Sequence, residues 1–392
     1  MKLTLIATTT FGLEAVVRRE VEGLGYRILK TENGKVTFQG DERAIVRANL
    51  WLRCADRVMI RMAEFMAEES EELFQQVKGI PWENFIPPDG KFTVNVSTVK
   101  SKLRSEPYNQ KTIKKAMVDR LSGVYSMEHF PETGAAYTIH AALLKDRVTL
   151  AMDTSGEALH KRGYRAAPVT APIKETLASA MVQLSFWNPD RILVDPCCGS
   201  GTIAIEAAMI GRNIAPGLSR KFASEQWDLI PQNLWAEERK SAYDAIDYDR
   251  DLQIYASDID CRAISAAEEN AAEAGTDDAI VFKRCDISNA FSMEGDYGVI
   301  ITNPPYGERI GDRKAVDHIE DVLSRTTKTR PTWSLFIITP DRDAEKKIRG
   351  GPADRRRKLY NGRIEVCYYQ FHGKKKEKKQ AGNGSVSAAS GD

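Results

Sequence analysis

The chain has 392 residues, 42% of them hydrophobic and 28% charged, which allows two or three globular domains and excludes a disordered, collagen-like or disulfide-stapled protein. Its six cysteines form no CxxC pair and no apolar run reaches the ~18 residues of a membrane helix. We therefore expect a cytoplasmic protein with reduced thiols and neither a metal site nor a membrane partner. The net charge of +1, from 56 basic and 55 acidic residues, taken by itself argues against a nucleic-acid partner.

Residues 1–55 predict a small α+β unit. Alternating apolar residues indicate its strands, and apolar residues that recur every three or four positions indicate its helices. Asn33-Gly34 is a typical hairpin turn, and Asp41 is a candidate helix N-cap. The predicted elements are strands at 3–8, 26–30 and 35–39 and helices at 13–23 and 41–51.

Residues 56–155 predict a second α+β unit. Within it, residues 91–120 carry eight basic residues against two acidic ones. Such a run is usually the solvated face of a helix, and it is also what a phosphate-binding surface requires. The predicted elements are strands at 57–66, 91–100, 136–142 and 147–152 and helices at 68–78 and 108–121.

Residues 156–172, with two glycines and two prolines, predict a connector. Strands and helices then alternate from 173 to 372, which predicts an α/β unit with a largely parallel sheet. The long segment 215–249 is expected to hold a helix that covers one flank of this sheet, and 373–392 to form a disordered tail. The predicted elements are strands at 192–194, 252–257, 279–283, 298–302 and 335–339 and helices at 173–187, 201–210 and 261–274.

The strongest local pattern is Val194-Asp195-Pro196-Cys197-Cys198-Gly199-Ser200-Gly201-Thr202. A hydrophobic strand runs into an acidic residue, a glycine-rich turn and a helix. Glycines let the backbone bend sharply and let a ligand approach it, while the helix N-terminus favours a carboxylate. The spacing fits neither a Walker loop nor a dinucleotide fingerprint. A tight strand-to-helix turn without a ligand is the alternative reading.

Acidic residues also follow the next two strands. Asp258 is placed to accept hydrogen bonds from both hydroxyls of a ribose, whereas Asp260 two residues later is better explained as a helix N-cap. Asp286, after the third strand, is placed to accept from the amino group of an adenine. Because the carboxyl ends of parallel strands share one edge of a sheet, these acids predict a nucleoside site there.

The fourth strand ends in Thr302-Asn303-Pro304-Pro305-Tyr306. The two prolines remove backbone donors and stiffen the chain. What remains are two acceptors, the side-chain oxygen of Asn303 and the carbonyl of Pro304, beside the flat ring of Tyr306. This set suits a planar exocyclic amine such as N6 of adenine or N2 of guanine, with the base stacked on the tyrosine. The alternative is a rigid turn.

In this order the four strand-end motifs resemble class I S-adenosylmethionine-dependent methyltransferases that act on amino groups. The segments 159–165 (LHKRGYR), 171–178 (APIKETLA) and 303–309 (NPPYGER) are similar to the bacterial 23S rRNA guanine-N2 methyltransferase family, whose catalytic domain follows a THUMP domain. Residues 1–155 resemble its ferredoxin-like and THUMP region by element order and by Phe11-Gly12-Leu13-Glu14. The resemblance implies a Rossmann-like domain with a seven-stranded, mostly parallel sheet at 173–372, after a ferredoxin-like unit at 1–55 and a THUMP domain at 56–155.

The resemblance also implies in-line methyl transfer from S-adenosylmethionine to guanine N2 of an RNA, 23S rRNA first, without a metal or a covalent nucleophile. Residues of two kinds would form the active site. Those implied to hold the cofactor are Asp195, Gly199 and Gly201 for its methionine part, Asp258 for the ribose, Asp286 for the adenine and Thr176 for the carboxylate. Those implied to hold the target base are Asn303, Pro304 and Tyr306.

In an RNA-binding module the basic run at 91–120 is better read as a phosphate-binding surface, and the connector adds three more cations near the catalytic domain. Residues 341–392 carry 14 basic and 7 acidic residues, so the near-zero total charge is a cancellation between basic segments and an acidic remainder. The predicted RNA contacts are Lys102, Arg104, Lys111, Lys114, Lys115, Lys161, Arg162 and Arg165.

Other functions stay open at this point. A tRNA guanine-N2 methyltransferase or an adenine-N6 nucleic-acid methyltransferase has the same amine-binding motif. A protein-glutamine methyltransferase also has it, but has no need for a basic N-terminal module. A non-catalytic RNA-binding assembly factor with a vestigial cofactor fold is the alternative from another class.

Overall fold

The structure is a computed structural model that describes residues 1–165, 173–306 and 312–374. Parts of the predicted connector and tail, at 166–172 and 375–392, lie outside the described residues, as do residues 307–309 of the extended Asn-Pro-Pro-Tyr motif. Among the described residues, no helix is both long enough and apolar enough to span a bilayer.

The N-terminal half forms one seven-stranded sheet. β5 and β6 run parallel and the other neighbours antiparallel, in the order β2-β3-β1-β4-β7-β6-β5. Pairing of β1 with β4, Leu5 opposite Ile60, joins the two predicted units, so the expected boundary at 55/56 does not divide the sheet. The elements are β1 (Leu3–Thr8), α1 (Glu14–Gly23), β2 (Arg27–Glu32), β3 (Lys35–Gly40), α2 (Glu42–Trp51), β4 (Arg57–Met66), α3 (Ser70–Lys78), β5 (Lys91–Val99), α4 (Glu106–Tyr125), β6 (Ala136–Leu144) and β7 (Arg147–Asp153).

The local signals in this half are confirmed. Asp41 caps α2, because its carboxylate accepts a hydrogen bond from the Ala44 amide at 2.9 Å. Gly34 has φ +74°, as the second residue of an Asn-Gly hairpin turn requires. The alternation along β5 buries Phe92 and Val94 and exposes their neighbours.

The C-terminal half forms a second seven-stranded sheet, ordered β10-β9-β8-β11-β12-β14-β13. Its first five strands are parallel, and β14 and β13 are antiparallel to their neighbours, which confirms the predicted fold class. The elements are α5 (Glu175–Leu184), β8 (Leu193–Asp195), α6 (Thr202–Gly211), α7 (Gln232–Asp244), β9 (Ile254–Asp258), α8 (Cys261–Glu273), β10 (Ile280–Arg284), β11 (Val299–Thr302), α9 (Asp312–Thr329), β12 (Ser334–Thr339), α10 (Ala344–Arg349), β13 (Arg355–Asn361) and β14 (Ile364–Phe371).

The segment 215–249 holds a helix, α7, but packs differently from the prediction. The segment lies on the N-terminal half. The Trp227 indole donates to the Ala136 carbonyl at 3.0 Å and stacks on the Tyr137 ring, with 4.9 Å between the two ring centres. Glu238 on α7 forms an ion pair with Arg43 on α2. The segment was expected to cover a flank of the catalytic sheet. Instead, Trp227 and α7 pack on the N-terminal half, and the segment contacts the catalytic half at the end of α6, where the Asp247 amide donates to the Arg212 carbonyl at 2.9 Å.

The Phe-Gly-Leu-Glu motif forms another joint between the halves. Arg357 on β13 donates to the Gly12 carbonyl at 2.8 Å. A Cβ at Gly12 would come within 2.8 Å of the Lys358 carbonyl oxygen, and Gly12 has φ +93°. Glu14 fixes the same turn by accepting from the amides of Gly12 and Gly34. Glycine is required at position 12 both for its conformation and for this close approach.

We expect Gly12→Ala to destabilise the protein more than Gly25→Ala. Gly25 has a similar φ of +88° but open space around a Cβ, so Gly25→Ala reports only the strain of a left-handed residue, about 1–2 kcal/mol. The difference between the two unfolding free energies in urea, measured against the parent chain, then reports the joint with β13. Equal losses for the two variants would show that the joint contributes nothing.

Candidate active site

Four of the predicted site residues lie together at the carboxyl edge of the second sheet. Asp195 ends β8, Asp258 ends β9, Asp286 follows β10 and Asn303 follows β11. These strands are adjacent in the order β10-β9-β8-β11 and mutually parallel. The topology therefore brings the four side chains to one edge, where open α/β sheets bind their ligands.

The glycine-rich turn between β8 and α6 is held in place from β9. The Cys198 amide donates to the Ser257 carbonyl at 2.9 Å, and the Gly199 amide donates to the Asp258 carboxylate at 2.9 Å. Gly199 and Gly201 have φ of +53° and +79°, and a Cβ at Gly199 would meet no atom within 4 Å. The backbone at Gly199 is thus exposed to an approaching ligand, as the sequence predicts.

Asp195 lies beneath this turn with its side chain almost fully buried. It is 1% exposed, and one carboxylate oxygen accepts from the Cys197 amide at 3.3 Å. The other oxygen, Oδ2, is buried and has no hydrogen-bond partner within normal distance among the described residues, although the nearby Thr302 hydroxyl acts to lower the pKa of this carboxyl. Burial raises the pKa of Asp195 to about 7. An unpartnered acceptor at this depth is costly unless a ligand supplies a donor.

We predict that Asp195→Asn stabilises the cofactor-free protein in a pH-dependent way. Because the pKa of Asp195 is raised in the folded state to about 7 from 3.8, the unfolded chain loses its proton first, and this carboxyl destabilises the fold progressively between about pH 4 and pH 7. The asparagine does not titrate. In urea unfolding at pH 5 and pH 8, the variant should gain more free energy of unfolding over the parent chain at pH 8 than at pH 5. An equal gain at both pH values would contradict the assignment.

Asp258 and Asp286 occupy the neighbouring strand ends with different partners. Besides the Gly199 amide, Asp258 accepts from the Asp260 amide at 3.0 Å, while Asp260 caps α8 through the Arg262 amide, as predicted. Asp286 accepts from the Ser288 amide at 2.9 Å and lies 3.1 Å from Nε2 of His318. These contacts lower the pKa of Asp286 to about 2, and the hydrogen bond from the Ser288 amide has the largest effect. Both carboxylates are partly exposed to solvent.

Sequence reasoning missed two residues at this edge. Ile259, directly after Asp258, is 67% exposed, and an apolar side chain in that position offers a flat contact for a ring. His318 reaches Asp286 from α9, a helix that the sequence did not predict. The signal for Ile259 was an apolar residue between two aspartates at a strand end, whereas nothing local to His318 indicates its partner.

Asn303 and Tyr306 interact directly. The Tyr306 hydroxyl donates to the Asn303 side-chain oxygen at 2.9 Å, and the side-chain amide of Asn361 donates to the Tyr306 oxygen at 3.2 Å. Pro304 is buried and Pro305 exposed. Besides offering the predicted stacking surface, Tyr306 links Asn361 to Asn303 through its hydroxyl. The sequence did not indicate this link, because Asn361 lies 55 residues away on β13.

Thr176 lies on α5 and is buried, and its hydroxyl has no hydrogen-bond partner within normal distance in the part of the chain that the structure describes. The Thr176 hydroxyl faces the carboxyl of Asp56 in the N-terminal half and acts to lower the pKa of that group, which burial raises. The predicted contact of Thr176 with the cofactor carboxylate stays a prediction.

Comparison with known proteins identifies the family of this fold. Residues 162–370 match the RMKL-like methyltransferase domain, residues 4–59 the RlmL ferredoxin-like domain and residues 67–153 the THUMP domain. The chain belongs to the RMKL-like methyltransferase family. The resemblance to methyltransferases with a THUMP domain is thereby confirmed.

Relatives of this methyltransferase align over nearly its whole length. A Bacillus subtilis (strain 168) protein named "Putative RNA methyltransferase YpsC" is 49% identical over 376 residues, 95% of this chain and 97% of that protein. A Listeria monocytogenes structure described as "a predicted N6-adenine-specific DNA methylase" is 48% identical with a TM-score of 0.91, covering 95% and 97% of the two chains. SMU.472, "a putative methyltransferase complexed with SAH", is 44% identical with a TM-score of 0.90, covering 96% and 99%.

The THUMP domain of this methyltransferase presents most of the predicted RNA contacts on its surface. Arg104, Lys111, Lys114 and Lys115 are exposed. The ammonium of Lys115 lies 5.7 Å from the ring centre of Phe74, and that of Lys114 lies 5.7 Å from the ring centre of Phe92. Lys102 is exposed but forms an ion pair with Glu68. The first four side chains therefore remain available to phosphates.

The connector of the methyltransferase uses its arginines differently from the prediction. Arg162 is 3% exposed; it forms an ion pair with Glu206 on α6 at 3.3 Å and donates to the carbonyls of Leu159 and Arg53. Arg162 is therefore not an RNA contact, because its guanidinium holds the two halves of the chain together. Arg165 is also largely engaged, by Glu175 at 3.0 Å and the Thr202 hydroxyl at 3.2 Å.

Proposed function

We propose that this enzyme transfers a methyl group from S-adenosylmethionine to the exocyclic N2 amine of a guanine in RNA, specifically in 23S rRNA. The cofactor is S-adenosylmethionine, as for the methyltransferase family and as the SAH bound to SMU.472 indicates. The THUMP domain and the name of the Bacillus subtilis relative support an RNA substrate. The observation that carries the proposal is the placement of Asn303 beside the glycine-rich turn, at the edge that also holds Asp195 and Asp258.

The residues of this edge fit the cofactor. The unpartnered Oδ2 of Asp195 and the open backbone at Gly199 would hold its methionine part. Asp258 would accept from the ribose hydroxyls, and Asp286 would accept from the adenine amine while Ile259 covers the ring. When bound, S-adenosylmethionine supplies an electrophilic methyl group on a sulfonium.

The chain contributes position rather than a nucleophile. The Asn303 side-chain oxygen and the Pro304 carbonyl would accept the two hydrogens of the amine and so aim the nitrogen lone pair at the methyl group. An amide oxygen has two acceptor sites, so Asn303 can accept from Tyr306 and from the amine at once. A paired guanine must leave its stack to reach this site.

Two further candidates are favoured by specific observations. The Listeria monocytogenes structure carries a description as an adenine-N6 DNA methylase, and the Asn303 and Pro304 acceptors suit N6 of adenine as well. The THUMP domain is equally compatible with tRNA as substrate. The nucleoside that receives the methyl group decides among them.

The test is methyl transfer in vitro with labelled S-adenosylmethionine. The purified protein is incubated separately with 23S rRNA, with large ribosomal subunits, with total tRNA and with duplex DNA, and each acceptor is digested to nucleosides. We expect label in N2-methylguanosine from the 23S rRNA or the subunits. Label in N6-methyladenine, or in tRNA with none in 23S rRNA, would contradict the proposal; no transfer to any acceptor would support the assembly-factor alternative.

A further inference from the structure

We propose that a basic cleft between the connector and the segment 215–249 binds a phosphate of the RNA backbone. The cleft has a volume of about 790 Å³ and is lined by six cationic residues and two acidic ones. The inference rests on the proposed RNA substrate. It adds Lys174 and Lys221 to the connector cations that the sequence assigned to RNA, and it places them in one cleft. We call it the connector cleft.

The cations of the connector cleft are not all neutralised within the protein. Lys161 is paired with Glu157, and Arg165 with Glu175. Lys221 and Lys174 form no ion pair in the described ranges 1–165, 173–306 and 312–374; Lys221 is exposed and Lys174 half-buried. Lys221 and Lys174 therefore add positive charge to the lining of the cavity outside any ion pair of the described residues, although the charge of Lys174 also acts on the half-buried carboxyl of Asp56.

His160 and Arg220 give independent signs of the positive field. The ring nitrogen Nδ1 of His160 is buried and has no hydrogen-bond partner in the described ranges. Burial, followed by the charges of Lys174 and Arg162, lowers the pKa of His160 to about 4. Arg220 is nine-tenths buried; it donates to the carbonyls of Glu157, Ala158 and Lys161, while its Nε has no partner among the described residues. An anion in the cleft would offset this accumulated charge.

The connector cleft lies between the N-terminal half and the glycine-rich turn of the active site. The Leu159 amide donates to the Asp56 carbonyl at 2.8 Å, which ties the connector to the N-terminal half. On the other side, Arg165 donates to Thr202, the first residue of α6, immediately after the glycine-rich turn. A phosphate held here would fix the backbone close to the target nucleotide, whereas the THUMP face provides the distant contacts.

The double variant K174Q/K221Q tests this inference, with Lys240→Gln as the control. Lys240 lies on α7 in the same segment, is exposed and is paired with Asp244. We measure the affinity for 23S rRNA as a function of salt and the affinity for S-adenosylmethionine by calorimetry. The double variant should bind RNA at least tenfold more weakly with a log–log salt slope reduced by about 1.5, with unchanged cofactor affinity, and the control should match the parent.

Unchanged RNA affinity and slope in the double variant would overturn the inference. So would a loss of cofactor affinity with RNA binding intact, since the cleft would then belong to the cofactor. Failure of the proposed function is a separate result, because it would be seen as missing methyl transfer to guanine by the parent protein, whereas this measurement needs no turnover.

A different observation carries a second inference: we infer that Asn361 is a positioning residue for methyl transfer. Its side-chain amide donates to the Tyr306 oxygen at 3.2 Å, and the Tyr306 hydroxyl donates to Asn303 at 2.9 Å. Since the donated hydrogen bond fixes the direction of the hydroxyl proton, the chain is directional and ends on the Asn303 oxygen. It keeps that oxygen, rather than the NH₂ group, turned toward the site of the amine.

A double-mutant cycle with Asn361→Ala and Tyr306→Phe tests this inference on whichever acceptor the parent protein methylates. Each single variant should lower kcat by about tenfold with unchanged cofactor affinity. The combined variant should be no slower than Tyr306→Phe alone, because Asn361 acts through the hydroxyl that this variant lacks. The inference would be overturned if the two losses of kcat multiplied in the combined variant, or if Asn361→Ala left kcat unchanged.

Discussion

Asn303→Ala should abolish methyl transfer while leaving cofactor binding intact. The side-chain oxygen of Asn303 is the acceptor proposed to orient the target amine, and it lies on the opposite side of β8 from Asp258 and Asp286 in the strand order. Removing an acceptor that acts in the transition state typically costs about 10²–10³ in kcat. Calorimetry with S-adenosylmethionine and a methyl-transfer assay on the same preparation separate the two properties.

Ser324→Ala is a suitable control for Asn303→Ala, since Ser324 is a polar, buried residue on α9 in the same domain and has no proposed role in the reaction. We expect it to retain activity. Full activity in Asn303→Ala would show that the amine is held elsewhere. Loss of cofactor affinity in that variant would assign Asn303 to the cofactor site instead.

Asp258→Ala should weaken the affinity for S-adenosylmethionine at least tenfold. The carboxylate is proposed to accept from the ribose, and it also accepts from the Gly199 amide at 2.9 Å. The variant therefore loses a ligand contact and the brace of the glycine-rich turn together. A hydrogen bond to a charged group contributes about 1.5–3 kcal/mol, which corresponds to roughly tenfold or more in the dissociation constant.

Asp260→Ala is the matched control for Asp258→Ala. Asp260 lies two residues away and caps α8, so its loss should cost about 1 kcal/mol of stability without a change in cofactor affinity. An unchanged dissociation constant in Asp258→Ala would contradict the ribose assignment. Equal weakening in both variants would show that the effect comes from α8 rather than from the carboxylate.

The strand-end residues were predictable because parallel topology alone determines where they meet. Once strands alternate with helices, Asp195, Asp258 and Asn303 must share the carboxyl edge whatever the details of packing. The conformation of the turn followed as well, since Gly199 and Gly201 both adopt positive φ. Local pattern and topology agree at this edge, and the prediction needed no contact between distant residues.

Apart from Ile259, whose signal was local, the features that sequence reasoning missed depend on long-range contacts. In the sequence Arg162 looks like a surface cation, yet it is buried in an ion pair with Glu206. No residue close to either of them in sequence indicates this pairing. A helix somewhere in 215–249 was expected, but the sequence did not indicate that Trp227 would pack against Tyr137 of the other half. The sequence assigned no role to Asn361, and only the fold places it against Tyr306.

The most direct test of the central claim is the methylation state of 23S rRNA in cells that lack this protein. Nucleoside mass spectrometry and primer extension on purified 23S rRNA would locate any methylated guanine that disappears. We predict the loss of one N2-methylguanosine, which the wild-type gene restores and the Asn303→Ala gene does not. An unchanged set of N2-methylguanosines in 23S rRNA, or restoration by Asn303→Ala, would contradict this prediction.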